Sequence, residues 1–69
     1  MREPTRITVL GAAGRMGQEI IELARRDPEV EVVGAIEAPA HPTIGTIPNA
    51  DLPELKIVAD LPAALRESD

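Results

Sequence analysis

Hydrophobic and polar positions along the chain switch between two periods. Thr5–Leu10 (TRITVL) is short, β-branched and alternating, and it stops at Gly11, which predicts a strand. From residue 15 to 26 the period lengthens. Met16, Ile20, Leu23 and Ala24 fall at helical spacing, with Gln18, Glu19, Glu22, Arg25 and Arg26 between them. That pattern predicts an amphipathic helix with one apolar stripe. Glu22 and Arg26 stand four apart in the favourable order, and Asp27-Pro28 ends the helix, because proline pushes its predecessor out of helical geometry. Residues 29–36 (EVEVVGAI) begin by alternating and end nearly all apolar, as a strand covered on both faces would.

The periodicity lapses over residues 38–54. Four prolines (Pro39, Pro42, Pro48 and Pro53) stand there with no clear period, which predicts a long loop. Residues 55–59 (LKIVA) read as a third, shorter strand. Asp60 then suits a helix N-cap, and Leu61–Glu67 (LPAALRE) a short helix with Pro62 in its first turn. The order strand–helix–strand–loop–strand–helix implies an α/β fold. It would be a partial doubly wound parallel sheet of about three strands with two helices, the first half of such a fold, in one domain over residues 1–69. In that half the strand order is 3-2-1, which leaves the first strand on an edge. Ile7 and Val9 would share one of its faces and Thr8 and Leu10 the other. Neither proline nor lysine blunts residues 7–10, so self-association through this edge is expected.

Composition narrows the candidate functions. A chain of 69 residues buries only about 60% of the surface its unfolded form exposes, so its stability is expected to be marginal. It has no Phe, Tyr or Trp, which argues against an aromatic platform for single-stranded nucleic acid. The net charge of −5 is unfavourable for binding a phosphate backbone, so no nucleic-acid partner is expected. The charge is uneven: residues 1–26 carry five arginines and three glutamates, and residues 27–69 carry two cations against nine acids. Absence of cysteine excludes disulfides and thiolate metal sites. His41 alone cannot make a zinc site. No apolar run reaches the length of a membrane span, so no membrane partner is expected. Met1 to Thr5 lead straight to a strand and a glycine turn, without the pattern of a signal peptide. A reducing, cytoplasmic setting is expected.

Candidate chemistry sits in Gly11-Ala12-Ala13-Gly14-Arg15-Met16-Gly17, which follows a strand and opens a helix. Gly11 permits the tight turn out of the strand, Gly14 lets backbone approach a pyrophosphate, and Gly17 lets the helix pack closely. Backbone N–H groups at the helix start would face the phosphates, and the helix dipole favours their charge. The spacing is G-x-x-G-x-x-G, a variant of the commoner G-x-G-x-x-G. A glycine-rich turn without a ligand is the plainer alternative. Glu37 ends the second strand 20 residues after Gly17, where a carboxylate can accept from both hydroxyls of an adenosine ribose. Its plainer reading is a solvated acid. Together the two features point to dinucleotide binding.

Two readings of Arg15 stand side by side: a surface arginine opposing the helix dipole, or a contact to cofactor phosphates or adenine. The Met16 side chain reads as core, with its backbone N–H toward the pyrophosphate. Arg25 and Arg26 read as a solvated helix end, and His41 as an exposed loop residue. No nucleophile–base pair or carboxylate dyad is evident, so no catalytic residue and no metal ligand is assigned.

The run ITVLGAAGRMG at residues 7–17, the helix start Gln18-Glu19-Ile20-Ile21 and the strand end Val32-Val33-Gly34-Ala35-Ile36-Glu37 resemble the N-terminal segment of bacterial dihydrodipicolinate reductases, also called 4-hydroxy-tetrahydrodipicolinate reductases. The Ala40-His41-Pro42 loop fits the same family. Residues 46–54 do not: Gly45 is followed by Thr46-Ile47-Pro48-Asn49, where the family tends to have an aspartate and a second glycine. The resemblance implies a Rossmann segment of a cytoplasmic NAD(P)H-dependent oxidoreductase of lysine and diaminopimelate biosynthesis. Such an enzyme passes hydride to a cyclic imine-type dicarboxylate and works as a homotetramer. Gly11, Ala12, Ala13, Gly14, Arg15 and Met16 would then line the phosphates, Gly17 would close the motif, and Glu37 would take the ribose. Ala38 stands where many NADPH-accepting members have arginine, so NADH is the expected cofactor and NADPH the alternative. The family's catalytic stretch lies downstream of a point matching Ser68-Asp69, so a chain of these residues alone is expected to be inactive. The competing reading is a stand-alone or engineered fragment serving as a weak nucleotide-binding or structural module.

Overall fold

The computed structural model describes residues 3–68; the reading of the chain start as leaderless falls partly on Met1 and Arg2, outside them. Five elements follow in order: β1 (Thr5–Leu10), α1 (Arg15–Arg25), β2 (Val30–Ile36), β3 (Ile57–Val58) and α2 (Leu61–Glu67). The strands form one parallel sheet in the order β1-β2-β3, the expected 3-2-1 order, with β1 on an edge. The fold is thus the predicted α/β arrangement, a partial Rossmann-like sheet with two helices.

Both faces of the sheet carry packed elements, although Leu10 is 63% and Val58 40% exposed. On one, Val9, Ala12, Ile21, Ala35 and Ile57 make a buried cluster, with Ile7 and Val32 at its rim and Ile44, Leu52 and Leu55 from the long loop against it. On the other, α2 lies over Thr8 and Gly34. The Thr8 hydroxyl donates to the Ala64 carbonyl at 3.3 Å and meets the Ser68 hydroxyl. A Cβ on Gly34 would stand 2.7 Å from Thr8 Oγ1 and 3.0 Å from Ala64 Cβ, so this glycine lets the helix descend onto the strand. The faces of β1 divide as alternation predicts. Those of β2 do not, because Thr5 to Ile7 pair with Val30 to Val32 while Thr8 to Leu10 pair with Gly34 to Ile36. Val33 is an extra residue, a bulge, and it puts Val32 and Ala35 on the same side although they are three apart.

Two expectations are corrected. The third strand covers two residues rather than 55–59, because the long loop doubles back along it. Gly45 N–H donates to the Ile57 carbonyl at 2.7 Å, and Ile57 N–H to the Thr46 carbonyl at 2.9 Å. The loop therefore caps the outer edge of β3, which leaves β1 as the edge with no further strand beside it among the described residues. The apolar stripe of α1 is also corrected. Gly17, Ile21 and Ala24 are buried, whereas Met16 is 75% and Leu23 68% exposed, and Ile20 also faces outward. Among the described residues no helix is long and apolar enough to cross a membrane. Asp60 caps α2 as expected, accepting from Ala63 N–H at 3.1 Å.

Candidate functional site

The site grows from the exit of β1. Gly11 takes φ +68°, a conformation L side chains resist, and the chain reverses there. Gly11 and Ala12 N–H both donate to the Ile36 carbonyl, at 2.9 and 3.1 Å, which staples the turn to the end of β2. Gly14 N–H returns to the Gly11 carbonyl at 3.0 Å. Ala13 N–H donates to Glu37 Oε2 at 2.8 Å, and the Ala13 carbonyl accepts from the Gln18 amide at 2.9 Å. Glu37 is fixed in turn by its own N–H, which donates to the Val58 carbonyl at 3.1 Å. The three strand ends and the glycine turn thus form one bonded unit.

Helix α1 opens on Gly14, an extended N-cap without a side-chain cap and with no acid in the first turn. Its first backbone bond runs from Gln18 N–H to the Gly14 carbonyl. The N–H groups of Arg15, Met16 and Gly17 therefore have no acceptor among the described residues. They are the orphan donors of a helix start, and the dipole adds partial positive charge there. Gly17 is buried against the turn: an added Cβ would stand 2.9 Å from Ala12 Cα and collide with the Gly11 carbonyl oxygen. That is the close helix packing expected of it.

All eight residues singled out from the sequence meet at this corner, but with different parts to play. The amides of Gly11, Ala12, Ala13 and Gly14 are spent within the protein. Those without a partner among the described residues belong to Arg15, Met16 and Gly17, and Arg15 and Met16 are exposed. The Met16 side chain, expected in the core, lies outside it.

Sequence reasoning missed the bond between Glu37 and Ala13, which joins residues 24 apart. It also missed the anchor of the long loop. Glu22 binds Arg25 Nε at 2.7 Å and Arg26 Nη2 at 2.5 Å, and it accepts from the Asn49 side-chain amide at 3.0 Å. Arg25 reaches on to Asp51 at 3.2 Å, so it is a bridge rather than a solvated helix end. The hydrogen bond from Arg25, then that from Asn49, lowers the Glu22 pKa to about 2. His41, expected to be exposed, is half-buried. Its Nδ1 accepts from Thr43 N–H at 3.2 Å and lies 2.7 Å from the Thr43 hydroxyl.

A parallel sheet whose first strand runs through a glycine turn into a helix, with a carboxylate at the tip of the second strand, defines a Rossmann-type α/β protein. The chain matches the family model described as "Dihydrodipicolinate reductase, N-terminus" over residues 5–69, and it belongs to that family. It is similar to proteins named 4-hydroxy-tetrahydrodipicolinate reductase. That of Anaeromyxobacter dehalogenans (strain 2CP-1) is 39% identical over 69 residues, covering 94% of this chain and 26% of the relative. That of Rubrobacter xylanophilus is 50% identical over 50 residues, covering 72% and 18%. That of Aquifex aeolicus is 53% identical over 49 residues, covering 71% and 17%. The chain therefore spans about a quarter or less of the length of these relatives.

Proposed function

We propose that the chain binds the adenosine and pyrophosphate part of a nicotinamide dinucleotide, as the nucleotide-binding part of a reductase. The observation that carries this reading is the row of unpaired N–H groups at Arg15, Met16 and Gly17, set beside the Glu37 carboxylate. The residues fit the group. The free donors point out of a helix start, no side chain at Gly14 obstructs an approaching phosphate, and Glu37 uses one carboxylate oxygen on Ala13, leaving the other for ribose hydroxyls. Gly11, Ala12, Ala13 and Gly14 shape the turn, while Arg15 and Met16 hold the phosphates. When bound, the cofactor supplies a hydride.

NADH is the proposed cofactor, with NADPH as the alternative. The parent reaction, by relation to the proteins named above, is reduction of a cyclic imine-type dicarboxylate in lysine and diaminopimelate biosynthesis, in the cytoplasm, by a homotetramer. The 69-residue chain alone is proposed to be inactive, because nothing in the site positions a hydride or donates a proton. Titration of the chain into NADH, followed by cofactor fluorescence, checks the binding. Without aromatic residues the protein adds no fluorescence of its own. Saturable binding weakened by Glu37→Ala is expected; no saturable binding of either cofactor would overturn the reading. Substrate-dependent NADH oxidation by the purified chain would overturn the claim of inactivity.

A further inference from the structure

The Ala13 amide donates to the Glu37 carboxylate at 2.8 Å. Its neighbours in the turn are held otherwise: Gly11 and Ala12 by the Ile36 carbonyl, Gly14 by the Gly11 carbonyl. Ala13 is thus the link between the strand-side half of the turn and the N-cap of α1, and its N–H relies on one side chain. That side chain is well placed to hold it, since the Glu37 backbone is bonded to Val58 at the end of β3. Without the carboxylate the peptide between Ala12 and Ala13 would lose its acceptor at a half-buried position and be free to rotate. That peptide leads directly into Gly14, and the Arg15 and Met16 amides follow it in the chain.

We propose that Glu37 is a positioning residue for the glycine turn, holding the phosphate-facing amides in place through Ala13 before a ligand arrives, in addition to meeting the ribose. The proposal rests on the dinucleotide reading above. Its sign distinguishes it from a role confined to the ribose. A carboxylate beside a phosphate site repels the anion, so charge alone makes loss of Glu37 neutral or favourable for a ligand that has no ribose. Loss of the tie acts the other way.

The probe is inorganic pyrophosphate, followed by amide chemical shifts of Arg15 and Met16, with NADH titrated in parallel. Glu37→Ala is expected to weaken pyrophosphate binding about three- to tenfold despite the lost repulsion. Glu37→Gln keeps an acceptor for Ala13 and sheds the charge, so it should bind pyrophosphate at least as tightly as the parent. Glu37→Asp keeps the charge but is too short to reach Ala13, and should resemble Glu37→Ala; it serves equally if the alanine variant does not fold. Pyrophosphate binding unchanged or tighter in Glu37→Ala and Glu37→Asp would overturn the proposal while NADH binding by the parent upheld the dinucleotide reading. If the parent bound neither ligand, that reading would fall, and hydrogen exchange at Ala13 would decide the tie alone. About tenfold faster exchange in Glu37→Ala, with the parental rate in Glu37→Gln, supports it; equal rates in all three overturn it.

Discussion

Gly17→Ala tests whether the helix and the turn touch as closely as the structure has them. A Cβ at Gly17 would stand 2.9 Å from Ala12 Cα and 3.0 Å from the Gly11 carbonyl carbon, and closer still to the Gly11 oxygen. Carbon atoms rest at about 3.5–4.0 Å, so the helix must withdraw by about 0.5–1 Å. Every atom in the way is backbone, and the turn is stapled to Ile36, so no side chain can yield instead. Withdrawal opens the cluster, because Ile21 and Ala24 lie on the same face of α1. Overpacking of this kind costs about 3 kcal/mol at the upper end of its range. Replacing glycine by alanine within a helix returns about 1 kcal/mol, which leaves a loss of about 2 kcal/mol. Chains of this size have a total stability of roughly 3–10 kcal/mol, so the loss is large. Urea unfolding followed by far-ultraviolet circular dichroism is the assay, since the chain has no aromatic fluorescence. With a slope of about 1 kcal/mol per molar, the midpoint should fall by about 2 M. Gly14→Ala is the companion. Its Cβ meets only the Gly11 oxygen, at 3.3 Å, so it should cost about 0.5 kcal/mol, mostly as a poorer N-cap. Coincident midpoints for Gly17→Ala and the parent would refute the close contact.

Glu22, held at a pKa of about 2 chiefly by its hydrogen bond from Arg25, should stabilise the attachment of the long loop fully above its ordinary value of 4.5 and release it as pH falls through about 2. The stability gap between the parent and Glu22→Gln should close over that window, with a carbon-13 carboxyl titration of Glu22 reading the low midpoint; a midpoint near 4.5 contradicts the pairing. A 2′-phosphate would meet Glu37 with Ala38 rather than arginine directly after it, leaving only Arg15 to offset the repulsion in part, so the site is expected to prefer NADH, and Ala38→Arg should raise the affinity for NADPH relative to NADH by about tenfold. Titration of both cofactors checks this, and an unchanged ratio speaks against the placement of the ribose. The open edge of β1 should pair with a second copy across a two-fold axis, giving a molar mass by light scattering that falls on dilution; a stable monomer with strongly protected amides throughout residues 7–10 would refute it.

Local chemistry was enough to determine β1, both helices and the glycine turn from the sequence. β1 has β-branched alternation ending at a glycine, α2 has an aspartate cap and an early proline, and Gly17 and Glu37 carry the spacing of a strand–turn–helix corner. Each of these signals acts over a few residues or along one strand–helix unit. The face α1 buries could not be read in the same way. Met16, Ile20 and Leu23 repeat at helical spacing, and so do Gly17, Ile21 and Ala24 one position later. Periodicity cannot choose between two such stripes. Contact between Gly17 and the backbone of the turn chooses, because only a residue without Cβ fits there, and Ile21 and Ala24 then follow it inward. The bulge at Val33, the shortening of β3 under Gly45 and Thr46, and the bridge from Arg25 to Asp51 are likewise tertiary decisions. Glu37 belongs to both levels: its spacing marked it as a ligand for ribose, but its bond to Ala13 exists only because the parallel pairing of β1 and β2 brings residues 24 apart to the same end of the sheet.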